Sequence, residues 1–274
     1  MKLIQLTDIH LTAPGQTIAA RDPNANFERA LDHALGNHPD AEAIFITGDL
    51  SDWGDREDYE RLKARIDALP VPVHLCIGNH DDRKTFLSVF PEAADPRGFV
   101  QKTVELSEGT AILLDTWGPE THAGHFCDSR AAWLTARLIE TDGPVWIFQH
   151  HNPVPTHIAP MDEIMLLDDH LLGATIATHA SKIRHIFFGH CHIPLSGSFH
   201  GIPISAPRGT NHAGWANFGE PELLSASDLP EAYSVILTDG PAVTVHMVEY
   251  GYDGEIRVEG SPDYAAWDRE AMAR

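Results

Sequence analysis

Three features of this sequence predict an α/β fold of two packed sheets with helices outside. Five short apolar runs, rich in β-branched and aromatic residues, each stop at polar residues. The first three runs alternate with segments of helical period, giving the β-α-β-α-β order of a parallel sheet. The later chain changes rhythm and reads as hairpin-like strands.

The first run is Leu3, Ile4, Gln5 and Leu6. After a loop over 12–23, Phe27, Ala30, Leu31, Ala34 and Leu35 recur at helical spacing, with Asn26 placed to cap. The second run, Ala43 to Ile46, leads into Gly48-Asp49, and residues 55–69 read as a helix with Tyr59, Leu62, Ile66 and Leu69 on one stripe. Pro70 and Pro72 close it before the third run, Val73 to Ile77. A short helix through Phe86, Leu87 and Phe90 stops at Pro91, and 98–106 and 110–115 form a hairpin. Residues 129–139 read as a helix with Trp133, Leu134 and Leu138 inward. The fourth run, Val145 to Phe148, precedes a Pro-rich loop over 152–160, and a helix over 166–180 precedes the fifth, Ile183 to Phe188. Strands are expected over 195–200, 202–206, 232–239 and 242–249, and an acidic, weakly patterned tail follows. The Gly-, Pro-, Asn- and Ser-rich stretch 206–230 is too long for an ordinary connection and reads as a lid, an oligomer contact or a plain loop.

At 274 residues the chain can form one large core. No apolar run approaches the roughly 20 residues that span a bilayer, and the strand-like N-terminus leaves no room for a signal peptide, so no membrane association and a cytoplasmic address are expected. The three scattered cysteines do not form a disulfide framework. A net charge of −21, from 19 basic and 40 acidic residues, argues against polymeric nucleic acid, whose binding rests on Lys and Arg neutralising phosphates. A small phosphate ester is not excluded, because bound cations dominate the local field of such sites.

The runs end in Asp8-Ile9-His10, Gly48-Asp49, Gly78-Asn79-His80-Asp81, His150-His151 and Gly189-His190-Cys191-His192. Ligands in open α/β sheets bind beyond the carboxyl ends of strands, so these groups are expected to converge. Asp8 and His10, at i and i+2, present a carboxylate and an imidazole to one side for a divalent ion. The two oxygens of Asp49 suit it to bridge two ions. Gly78 permits the turn that exposes the amide oxygen of Asn79, which would otherwise read as an Asx-turn cap. His80 points elsewhere and is available as proton donor to a leaving alkoxide or as hydrogen-bond donor to a phosphoryl oxygen, with Asp81 orienting it. Only one of His150 and His151 reaches the same ion, and the other is left for substrate or solvent. His190 and His192 each address a different metal, while Cys191 between them points away. Each residue alone reads as a turn, core or surface residue, and the ordered set of five strand ends reads as a two-metal phosphoester hydrolase site.

In order, these motifs resemble those of the calcineurin-like metallophosphoesterase superfamily. Leu6-Thr7-Asp8-Ile9-His10-Leu11, the Asp81-Asp82 ending and Gln149-His150-His151-Asn152-Pro153 resemble its bacterial class III cyclic-nucleotide phosphodiesterases and glycerophosphodiesterases. The likeness covers residues 1–210, with Asn152 where the family often has Pro. The resemblance implies a four-layer α-β-β-α sandwich, here with a small C-terminal β-rich cap or oligomerisation element. It implies one metal on Asp8, His10, Asp49 and His192, a second on Asp49, Asn79, His150 and His190, and His80 outside both as the acid. Fe, Mn, Zn or Co would serve, since a mixed N/O donor set does not choose among them. It also implies a homo-oligomer, dimer or higher, with the segment after His200 as the contact.

The expected function is hydrolysis of a small phosphodiester, such as a cyclic nucleotide or a glycerophosphodiester, by a metal-bridging hydroxide, with Asp49 and His80 catalytic and Asn79, His80 and His151 near substrate. A phosphomonoesterase or nucleotide pyrophosphatase on the same site is the rival enzyme, and a catalytically silent metal-binding regulator is the rival of another class. The catalytic domain is expected over 1–250, with 200–232 as the cap or contact and 251–274 as the acidic tail. Selectivity would reside in loops 115–128 and 152–162, where His122, His125 and His157 read as surface histidines.

Overall fold

The computed structural model describes residues 1–258. Its first sheet has the order β13-β12-β1-β2-β3, formed by β1 (Lys2–Leu6), β2 (Ala43–Thr47), β3 (Val73–Cys76), β12 (Tyr233–Asp239) and β13 (Ala242–Val248). β1, β2 and β3 run parallel, and β12 returns antiparallel to β1. The second sheet has the order β4-β5-β6-β7-β9-β8, from β4 (Lys102–Leu106), β5 (Gly109–Leu113), β6 (Val145–Phe148), β7 (Ile183–Phe187), β8 (Leu195–Phe199) and β9 (Ile202–Ala206). The strands alternate sides with period two, and in the central strands β1, β2, β5, β6 and β7 both sides are buried, whereas β4, β8 and β13 are partly exposed. Leu3, Phe45, Cys76, Leu113, Trp146, Phe148 and Phe187 face the other sheet. Ile4, Ile44 and Ile46 face α1 (Pro23–Asn37) and α2 (Arg56–Ile66), whereas Ile112, Ile147 and Ile186 face α4 (Asp128–Glu140) and α6 (Asp169–Ala177). Three apolar clusters between four layers make the α-β-β-α sandwich. Phe45 of the first sheet stacks on Phe148 of the second with ring centroids 3.9 Å apart, so this aromatic pair sets the spacing between the sheets, and Phe148 stacks within its own sheet on Phe187 at 4.9 Å.

Several local expectations shift. Asp22, not Asn26, caps α1: its carboxylate accepts from the Ala25 N–H, and Pro23 at the first turn favours the earlier start. Asn26 lies inside the helix, bonded to Asn211. α2 stops at Ile66, short of the conformational restriction that Pro70 places on Leu69. Residues 98–101 are not strand, because carboxylates take their backbone donors: Asp95 accepts from Phe99 N and Asp115 from Val100 N. α3 (Arg83–Val89) and a one-turn α5 (Ala159–Asp162) complete the helices, α5 falling in the stretch read as loop. The C-terminal β-rich part divides. β12 and β13 enlarge the first sheet, while 206–230 carries a two-residue ribbon, β10 (Ala213–Gly214) with β11 (Ala226–Ser227). No described helix is long and apolar enough to cross a membrane. Of the acidic tail 251–274, residues 259–274 lie outside the described residues.

Candidate metal centre

The ends of β1, β2 and β3 in one sheet and of β6 and β7 in the other meet at one seam. Asp8 N donates to Gly48 O at 3.1 Å and His10 N to Asp49 O at 2.8 Å, which zips the loops after β1 and β2. Across the seam, His190 N donates to Asp8 Oδ1 at 3.0 Å, and Gln5 Nε2 to Phe188 O at 2.8 Å. Asp8, His10, Asp49, His190 and His192 all hold the left-handed backbone region, with φ of 54°, 46°, 48°, 70° and 52°. Each such residue costs about 1–3 kcal/mol and persists only where its surroundings over-determine it. At Gly78 a Cβ would collide with the Asp49 carboxylate, so glycine is what lets the third strand end approach the second.

Asp49 sits centrally, buried, with its oxygens facing opposite ways. Oδ2 lies 3.6 Å from His10 Nε2 and Oδ1 3.4 Å from His150 Nε2. On the first side, His10 Nε2 and His192 Nε2 approach to 3.2 Å, and Asp8 Oδ1 lies 3.7 Å from His192 Nε2. The far nitrogens are engaged: His10 Nδ1 with Asp52 Oδ1 at 3.0 Å and His192 Nδ1 with His212 O at 2.9 Å. On the second side, Asn79 Oδ1 faces His150 Nε2 at 3.0 Å and His190 Nδ1 at 2.8 Å, while His150 Nδ1 donates to Thr47 O at 2.8 Å. Asn79 Nδ2 donates to His122 Nδ1 at 2.9 Å, which turns the amide oxygen towards the histidines.

This arrangement fits two cations. With Nδ1–H donated outward, His10 and His192 point lone pairs at one another, and on the second side a carbonyl-type oxygen faces two imidazoles. Asp8 Oδ2 and His190 Nε2 are buried without a hydrogen-bond partner. Acceptors turned on acceptors in a buried site require positive charge between them. The titration behaviour agrees: burial opposes a charge on His150, yet the Asp49 carboxylate outweighs it and raises the pKa to about 9. Burial likewise works against charge on His10, but Asp52, Asp49 and Asp8 raise its pKa. Burial would favour neutral Asp49, and His150 above all holds its carboxyl well below the usual range. Burial and the neighbouring His150 push His190 well down, leaving it neutral, as a ligand must be.

The structure brings Asp8, His10, Asp49, Asn79, His150, His190 and His192 together and leaves His80 beside them. His80 Nδ1 donates to Asp52 O at 3.0 Å, with Asp52 Oδ1 at 3.5 Å, and its ring lines the cavity. Two expectations are corrected. Asp81 does not orient His80: it accepts from Leu50 N, Ser51 N, Gly78 N and Tyr59 OH, and so shapes the loops that carry Asp49 and Asn79. His151 is not turned to substrate or solvent, for it is fully buried, with Nδ1 on Thr116 Oγ1 at 2.8 Å and Nε2 on His122 O at 3.2 Å. Cys191 points away into the apolar cluster under the second sheet, and burial pushes its thiol pKa up.

Sequence reasoning missed Asp52 and His212. Asp52 stands three residues beyond Asp49 in the same loop, a visible spacing. His212, whose ring stacks on His192 at 4.1 Å, comes from the weakly patterned 206–230 stretch, where nothing but its residue type pointed to it. His122 lines the cavity, His125 pairs with Asp168 at 3.0 Å, and His157 is exposed.

Two sheets that close a cluster of carboxylate, amide and imidazole donors around one shared carboxylate define a metal-dependent hydrolase. Residues 1–194 match the calcineurin-like phosphoesterase family model, and the chain belongs to that family. It is 33% identical over 261 residues to a probable cyclic nucleotide phosphodiesterase of Rhodopseudomonas palustris, covering 93% of this chain and 95% of that protein. It is 30% identical over 200 residues to a glycerophosphodiester phosphodiesterase of Enterobacter lignolyticus, covering 70% and 71%. The fold is similar to that of a dimetal phosphatase from Danio rerio, with a TM-score of 0.65 at 15% identity over 91% of this chain and 98% of that one. The chain is thus a phosphoesterase of the calcineurin-like, metallophosphoesterase class.

Proposed function

We propose that this protein is a dinuclear phosphodiesterase of small phosphodiesters, with a cyclic nucleotide or a glycerophosphodiester as substrate. The carrying observation is Asp49, whose two oxygens face two separate donor sets. Asp8, His10, Asp49 and His192 would hold one ion, and Asp49, Asn79, His150 and His190 the other. Fe, Mn, Zn and Co all suit such mixed N/O donors. Bound there, the ions supply Lewis acidity to a phosphoryl oxygen and lower the pKa of water. Asp52 and the His212 carbonyl fix the tautomers of His10 and His192, and His122 fixes the Asn79 amide. His80, held through Nδ1 by Asp52, keeps Nε2 for the cavity, where it donates a proton or a hydrogen bond to the departing oxygen.

The lining of the cavity favours a diester over the rival monoester or pyrophosphate. Among the described residues no Lys or Arg lines it, so beyond the ions that the donor sets would hold, no cationic side chain is placed to take up a second phosphate charge. Because β12 pairs beside β1, we take residues 1–250 as one catalytic unit. The free cysteines fit a reducing cytoplasm. The test is hydrolysis of bis(p-nitrophenyl) phosphate by chelator-stripped protein after addition of Mn²⁺, Co²⁺ or Fe²⁺. Restored turnover supports the reading, and no turnover with any of these ions rejects it.

A further inference from the structure

A line of polar side chains runs from α1 to His212, the residue through which the 206–230 segment meets the donor set. We infer that Arg29, Asn26 and Asn211 form a one-way hydrogen-bond relay that keeps the proton of His212 on Nε2, so that His212 is a donor to bound phosphodiester and not a third imidazole ligand beside His10 and His192. The inference rests on the phosphodiesterase reading and adds three positioning residues to it.

Position alone does not decide what His212 does. Its ring stacks on His192 at 4.1 Å and lies 5.1 Å from the ring of His10. Each of the three brings a ring nitrogen within 4.8 Å of the others, close enough to share a cation, and the His212 ring also lines the cavity. What separates a ligand from a donor is which nitrogen carries the proton, and that is set by the partner of the other nitrogen.

The relay has a direction because its first member can only donate. Arg29 Nη2 donates to Asn26 Oδ1 at 2.8 Å, so the NH₂ of Asn26 is turned towards Asn211. Asn26 Nδ2 donates to Asn211 Oδ1 at 3.2 Å, which leaves the NH₂ of Asn211 facing His212. Asn211 Nδ2 reaches His212 Nδ1 at 3.3 Å, and an amide NH₂ has only protons to offer, so Nδ1 accepts. A neutral imidazole that accepts at one nitrogen carries its proton on the other, and Nε2–H is left for the cavity.

The surroundings enforce this direction. Asn26 and Asn211 are 4% and 0% exposed, so a turned-over amide would set donor against donor with no water to relieve it. Glu231, 3.3 Å from Arg29, keeps that guanidinium beside Asn26, and Tyr250 OH donates to Thr210 O at 3.0 Å to hold the backbone next to Asn211. Asparagine favours caps and turns over helix interiors, yet α1 buries one where the relay needs an amide. His212 then acts at both ends: its carbonyl accepts from His192 Nδ1 at 2.9 Å, and its ring offers a proton to the substrate side.

The test reverses the relay without removing it. Asn211→Asp sets a carboxylate oxygen opposite His212 Nδ1, and Asn26→Asp, back in α1, offers Asn211 an acceptor and so turns that amide over. Each should move the His212 proton to Nδ1. Long-range ¹H–¹⁵N spectra of Zn²⁺-loaded protein carrying ¹⁵N-histidine read the tautomer, with the His212 signals identified by their loss in His212→Gln. The Nε2–H form is expected in the unaltered protein and the Nδ1–H form in both variants. In the Mn²⁺-loaded enzyme each variant should lower kcat for bis(p-nitrophenyl) phosphate by about 10–100-fold, the range for partners that orient a working group. Should Asn211→Asp not fold, Asn26→Asp carries the comparison. An Nδ1–H form in the unaltered protein, or an Nε2–H form kept in the folded variants, overturns the relay, and a reversed tautomer with unchanged kcat overturns the donor role. Absence of turnover in the unaltered enzyme rejects the phosphodiesterase reading instead, while the spectra still decide the relay.

Discussion

Around Asp49, the half of the centre built from Asp8, His10 and His192 differs in charge from the half built from Asn79, His150 and His190. The first has its own carboxylate in Asp8 and a second, Asp52, behind His10. The other has a neutral amide as its third donor and is backed by neutral groups, the Thr47 carbonyl and His122. Ligand charge count tunes cation affinity, so the Asp8 half should load first and the Asn79 half second. The contrast teaches that the two ions of the proposed centre need not be equivalent although the donors look paired in sequence.

The strongest way to break this comparison is to remove what the halves share. Asp49→Ala should abolish binding at both and lower kcat by about a thousandfold or more, read by metal analysis and turnover together. A sharper cut separates the halves: Asp8→Ala should cost the tighter of two sites in a calorimetric Mn²⁺ titration, and Asn79→Ala the weaker. If either variant removes the other's site, the ranking is wrong. Asp52→Ala, which leaves all seven donors in place, should cost about 10–100-fold in metal affinity or activity, the range for partners that orient a ligand.

A smaller effect follows from His150. Its pKa in the folded, ion-free protein is raised from 6.5 to about 9 because Asp49 outweighs burial. The stability this group contributes is therefore complete below pH 6.5 and is lost as pH rises through about 9. Chelator-stripped protein should melt at falling temperature across that window, while affinity at the Asn79 half rises as the competing proton leaves. A melting temperature that climbs across the window would contradict this sign. The smallest effect is expected from Cys191→Ala. The thiol packs in an apolar cluster, so metal content should hold, at a stability cost of about 1 kcal/mol.

The sandwich was legible because both faces of its central strands are buried, which makes runs such as Ile44-Phe45-Ile46 and Val145-Trp146-Ile147-Phe148 almost continuously apolar. The donors were legible because each stands directly after such a run, where strand ends converge. Residues that hold the donors were harder to find. Asp81 stands within its motif and Asp52 just beyond another, and only the third dimension shows that Asp52 reaches His10 and His80 while Asp81 turns to backbone N–H groups and the Tyr59 hydroxyl. His151 and His150 are adjacent, and which of them faces the centre depends on the twist at the end of β6. Residues 206–230 gave no period because their two-residue ribbon leans on another turn and has no face of its own to bury.

Because three strand ends of one sheet and two of the other meet at the seam, the centre also works as a gauge of how the layers sit. A slide of one sheet past the other would change the gap between Asp49 and His150 ångström for ångström. What resists that slide is the stack of Phe45 from the first sheet on Phe148 from the second, buried below the donors. Trimming a ring there should loosen the fit of the proposed second ion without touching any group assigned to hold it, so the tolerance of the chemistry would be set by stacked hydrocarbon in the interior of the sandwich.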